Sequence, residues 1–136
     1  MSPIVAMREL GYPTIVCLKR IMDAKQKGID TSMVIAGGLL DGGHVVKSLC
    51  LGADAVAMDR PFIIASKGRY GPKSRLIKVL ENPADGIVNF VKAIKVEVQM
   101  LASALGKYSI RELSKEDLGA LDKALAEMFG IRYVYE

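Results

Sequence analysis

The stretch VIAGGLLDGGHVVKSLCLGADAVAMDRPF, Val34 to Phe62, changes its hydrophobic period three times with hardly a spare residue between segments. It begins inside a short, continuously apolar run, SMVIA from Ser32 to Ala36, which is the pattern of a strand buried on both faces of a parallel sheet. Gly37 and Gly38 end that run. Asp41 is placed to cap a helix from Gly42 to Leu51, Gly52 closes it, and the apolar run from Ala53 to Met58 reads as a second strand. Upstream, PTIVCLKRIMDAKQKG sets Ile15, Val16, Leu18 and Met22 on one side at helical spacing, with Lys19, Lys25 and Lys27 elsewhere. Pro13 suits the first turn of that helix and Gly28 its stop. The order helix, strand, helix, strand with short turns implies right-handed parallel crossovers and the α/β class.

Downstream the character changes. SKGRYGPKSR, Ser66 to Arg75, is polar and basic with two glycines and a proline, and residues 66–81 read as a basic loop. Asn82 and Pro83 then make a helix start, after which Ile87, Val91, Ile94, Val98, Leu101 and Leu105 repeat in steps of four and three until Gly106. Ser114 and Asp117 form a capping-box-like pair ahead of a helix whose stripe is Leu118, Leu121, Leu125 and Met128, stopped by Gly130. The division is thus βα units over 1–65, the loop, and a helical segment over 82–136 that packs on them. Only two strands are read in the whole chain, too few to close a barrel.

The 136 residues are half apolar (51%), enough for one domain with a core, and carry a mild net charge of +4. That charge is short of the basic stripe that announces nucleic-acid binding, so a nucleic-acid partner is not expected. No apolar run reaches the roughly 18 residues of a membrane helix, and MSPIVAMREL lacks the features of a secretory signal, which makes a cytoplasmic protein without a membrane partner the expectation. Cys17 and Cys50 are far apart and form no CxxC, so neither a zinc site nor a disulfide is expected, and both read as small core residues.

Chemistry concentrates in the turns after the two strands. Gly37, Gly38, Gly42 and Gly43 allow backbone N–H groups to approach an anion, a following helix start adds a favourable partial charge, and Arg60 can supply a bidentate cation. The plain alternative is that these glycines only form turns. His44 lies one turn into a helix, where a phosphate contact or acid-base role competes with a simple solvent-facing position. GRYGPKS has the wrong spacing for a P-loop, and Pro72 lacks an N–H the cradle needs. Lys67, Arg69, Lys73 and Arg75 around Tyr70 read as a solvated basic loop rather than a nucleic-acid surface. The long apolar stripe reads as packing on neighbouring barrel helices rather than as a docking surface for a partner.

IAGGLLDGGHVVKSLCLGADAVAMDRPF resembles the last two strands of the FMN-binding domain of glutamate synthases, especially the archaeal-like forms. SPIVAMRELGYPT resembles the segment leading into that family's sixth barrel helix, and NFVKAIKVEVQMLASALGKYSIRELSKEDL its tail helix and continuation. The resemblance implies the carboxyl-terminal fragment of a TIM-type (β/α)8 barrel, a fold of about 250 residues, with strands one to six elsewhere. It implies FMN as cofactor and a reaction that reduces the imine of 2-oxoglutarate and ammonia to glutamate. It assigns Gly37, Gly38 and Arg60 to the cofactor phosphate and no catalytic residue to this chain. The implied partners are an upstream barrel half or a second copy, and a small-molecule substrate. Three departures stand against the family pattern: Asp59 where glycine is usual, Leu40 where arginine is usual, and no cysteine in SKGRYGPKSR, so that no iron-sulfur cluster is expected in this chain.

Overall fold

The computed structural model describes residues 10–66 and 82–136. Helix α1 spans Thr14–Gln26, strand β1 Val34–Ala36, helix α2 Gly42–Cys50, strand β2 Ala55–Ala57 and the short helix α3 Arg60–Ala65. The long helix α4 is Pro83–Ala104, followed by two 3-10 turns, strand β3 Gly119–Ala120, helix α5 Lys123–Phe129 and strand β4 Arg132–Tyr133. Strands β1 and β2 pair in parallel with Val34 opposite Ala55, Ile35 opposite Val56 and Ala36 opposite Ala57. The expected βαβ unit is therefore present, framed by the expected signals. Asp41 caps α2, Asn82 caps α4, and the left-handed Gly130 ends α5.

One face of this small sheet is covered. Ile35, Leu18, Met33, Leu39, Leu51, Ala53 and Phe129 form a single buried cluster, with Ile15, Met22, Val56 and Leu118 packed against it. The opposite face is open, because Val34 is 62% exposed and Ala36, Ala55 and Ala57 are exposed with it. The expectation of a strand buried on both faces is corrected accordingly: β1 alternates exposed, buried, exposed. Nothing among the described residues lies over the second face. Cys17 is corrected for a related reason, since it is exposed on α1 while Cys50 is buried.

The carboxyl-terminal part departs further from its expected form. Ser114 and Asp117 do make the capping box, but it opens a 3-10 turn, and the chain then extends into β3, which pairs in parallel with β4. These two minimal strands were not read from the sequence. Helix α5 starts later than expected, capped by Asp122, whose carboxylate accepts the Leu125 N–H at 2.9 Å. Leu121 lies ahead of the helix and, with Leu125 and Met128, is exposed, while Ala126 and Phe129 form the buried side of α5. Along α4 the expected stripe is only partly covered, with Val91 and Leu105 exposed. The basic loop of residues 67–81, with Tyr70 and its flanking cations, lies outside the described residues, as do residues 1–9.

The amino ends of the two strands are tied by Asp54. Its carboxylate accepts the Met33 N–H at 2.6 Å and pairs with Lys25 Nζ at 3.1 Å. The backbone hydrogen bond first, and then the lysine, hold its pKa below the ordinary carboxylate value. A depressed carboxylate stabilises the fold above its unfolded pKa and loses that contribution as pH falls through the folded value. Asp54→Asn is expected to lower the melting temperature at neutral pH and to flatten its decline on acidification toward pH 3. A variant whose melting curve falls with pH as steeply as the parent's would remove Asp54 from this role.

Candidate functional site

Because Ala36 and Ala57 are partners, the turns that leave β1 and β2 emerge side by side at the carboxyl ends of the strands. Gly37 and Gly38 both have positive φ, 108° and 72°, a pair of conformations that glycine alone adopts without strain. The Thr14 hydroxyl donates to the Gly37 carbonyl at 3.0 Å, and a Cβ on Gly37 would stand 3.1 Å from the Thr14 hydroxyl oxygen. Beyond Gly38 the space is open. Ala36, Gly37, Ala57 and Asp59 line a shallow depression of about 310 Å³ between the strand ends. Arg60 directly follows Asp59 and begins α3. The three residues singled out for a phosphate thus share one end of the sheet.

The start of α2 is closed by the chain's own groups. Asp41 Oδ1 accepts the His44 N–H at 2.8 Å, and His44 Nδ1 accepts the Leu40 N–H at 3.1 Å. His44 is therefore engaged in shaping the turn rather than simply facing solvent, and its Nδ1 is the acceptor in that arrangement. The Gly42 N–H donates to Glu97 Oε2 at 2.8 Å, across the contact between α2 and α4. A Cβ on Gly42 would come within 2.9 Å of the Glu97 side chain, so glycine is required there by close approach. Asp59 acts in the same way at the next turn, its Oδ1 accepting the Arg60 N–H at 2.6 Å.

Thr14 and Glu97 are the two site residues that sequence reasoning missed. Thr14 belonged to a helix read only for its apolar stripe. Glu97 did carry a signal, because it stands between Val96 and Val98 on a helix read as apolar on that side, but its partner lies 55 residues away.

The glycine turn fits a phosphate group. Gly37 and Gly38 bring no side chains to the strand end and the space beyond Gly38 is open, while the start of α2 beside it is already held by the Asp41 and Glu97 carboxylates. The turn at Asp59 fits less well, since a carboxylate already holds the N–H it would offer.

Parallel strands joined through helices, with a glycine turn at their carboxyl ends, are the parts from which a (β/α)8 barrel is built. The family model for FMN-dependent dehydrogenases matches residues 9–119, and this chain belongs to that family, as part of its FMN-binding barrel domain. A glutamate synthase large subunit-like protein of Rhizobium meliloti (strain 1021) is 29% identical over 159 aligned positions covering 91% of the chain. An L-lactate dehydrogenase (cytochrome) of Wickerhamomyces anomalus is 32% identical over 80% of the chain, and an isopentenyl-diphosphate delta-isomerase of Ignicoccus hospitalis is 40% identical over 56%. The chain spans 36% of the first of these relatives and under a fifth of the other two, at 18% and 19%. No solved structure gives a significant match.

Proposed function

We propose that this chain is the carboxyl-terminal portion, or a split subunit, of a glutamate synthase-type FMN-dependent oxidoreductase that forms glutamate from 2-oxoglutarate and ammonia. Its own contribution is the cofactor phosphate site at Gly37, Gly38 and Arg60. The observation that carries this reading is the pair of left-handed glycines beside the neighbouring turn, at the carboxyl ends of two parallel strands. The glutamate synthase assignment is supported by alignment of that relative with 91% of the chain, against 80% and 56% for the dehydrogenase and the isomerase. When bound, FMN would supply the electron exchange. The Gly37 and Gly38 N–H groups and the Arg60 guanidinium would hold its phosphate, and Thr14 fixes the Gly37 turn through its hydrogen bond to the Gly37 carbonyl. Groups that hold the flavin ring and 2-oxoglutarate belong to strands one to six.

The open sheet face argues for completion by those strands. A groove of about 130 Å³ runs between α1 and β1, lined by Cys17, Ile21 and Val34 among others, where a neighbouring barrel strand would lie. Asp59 is the observation that favours the second reading, a scaffold or assembly subunit without flavin. The two are separated by mixing the chain with a separately produced upstream half. The expected result is a complex that takes up flavin colour and makes glutamate, whereas the chain alone makes none. Cys17, reactive toward a thiol reagent in the chain alone, becomes protected in the complex, while buried Cys50, whose thiol pKa is raised by burial, stays unreactive throughout. A complex that stays colourless with added FMN supports the assembly subunit. Failure to form any complex, with Cys17 still reactive, overturns both.

A further inference from the structure

We propose that Asp59 is a built-in anion that competes with the cofactor phosphate, so that this chain discriminates against phosphate-bearing ligands at its own phosphate site. The proposal rests on the reading that a phosphate seats at Gly37, Gly38 and Arg60. At this end of the sheet four backbone donors already have partners within the chain. Arg60 N–H is held by Asp59, Leu40 N–H by His44, His44 N–H by Asp41 and Gly42 N–H by Glu97. Three of those four acceptors are carboxylates. Asp41 and Glu97 serve the start of α2, but Asp59 alone also lines the depression together with Gly37.

An incoming phosphate is repelled by the Asp59 carboxylate, a charge of its own sign on the wall of the depression that it shares with Gly37. An uncharged ligand meets no such obstacle. Asp59 is exposed, its carboxylate accepting the Arg60 N–H and its carbonyl the Ile63 N–H of the same turn. The backbone at Asp59, φ −114° and ψ −63°, has the negative φ that residues other than glycine adopt, so asparagine fits there without backbone strain.

The test uses the whole chain with inorganic phosphate as the probe, at constant ionic strength set by chloride, and reads the amide resonances of Gly37, Gly38 and Arg60. Asp59→Gly is expected to lower the phosphate concentration at half-saturation by at least about tenfold, equivalent to about 1.4 kcal/mol. Asp59→Asn removes the charge but retains an oxygen for the Arg60 N–H, and its half-saturation is expected between the two. This second variant also keeps the start of α3 capped, should the glycine variant weaken that helix. If the glycine amides respond to phosphate equally in all three proteins, Asp59 does not compete and the proposal fails while the phosphate site stands. If those amides respond in none, the phosphate site and the proposal fall together.

Discussion

Phe129→Ala is expected to destabilise the chain by about 3–5 kcal/mol, the usual cost of removing a buried aromatic ring and leaving its cavity. Phe129 is 4% exposed and belongs to the same buried cluster as Met33, Leu51 and Ala53, so α5 packs on the same core as α1. A loss of that size is a large share of the 5–15 kcal/mol that domains generally possess. The melting temperature should fall by on the order of 10–20 °C. Leu121→Ala is the control, because Leu121 is 70% exposed and its truncation should change stability by no more than about 0.5 kcal/mol. Equal urea midpoints for the two variants would show that the carboxyl-terminal segment does not share the core of the βα units.

Leu18→Ala is expected to cost about 2–5 kcal/mol. Leu18 is the only large side chain among the described residues that is completely buried, at 2% exposure, and it pins α1 against Ile35 and Met33 within one cluster. Ile21, one turn further along α1, is 45% exposed, and Ile21→Ala should be nearly neutral in the isolated chain. Urea titration separates the two. Amide exchange adds a second reading, since loosening α1 should accelerate exchange in β1 more than in α4. Protection of β1 unchanged by Leu18→Ala would mean that the sheet is held chiefly by α2.

The βαβ unit was legible because each of its boundaries carries a local chemical signal. Asp41 has an acceptor for the exposed N–H groups of α2, Gly52 takes a φ of 103° that ends it, and Gly37 and Gly38 take the positive φ that ends β1. Such signals act over a few residues and need no knowledge of the rest of the fold. Burial was less legible, because an apolar residue in the sequence does not announce what covers it. Val34 and Cys17 have the composition of a core, yet the elements that would cover them are not among those described. At the carboxyl end the reading followed leucines, whereas Asp122 sets where α5 begins and contact with the core buries Ala126 and Phe129 instead. The site divided in the same way. Its glycines and Arg60 were visible, while the contacts of Thr14 with Gly37 and Glu97 with Gly42 exist only once α1 and α4 have packed.

The open face of the sheet presents Val34 and three alanines, Ala36, Ala55 and Ala57. Protein interiors are filled to crystal-like density, and small residues on one surface have to be met by large ones opposite. This face is therefore a socket, and whatever strands close over it must supply the bulk of the shared volume. If an upstream half closes over this face, as proposed above, one with bulky inward residues should fill it, and one with small inward residues should leave a void that larger side chains at positions 36, 55 and 57 would fill.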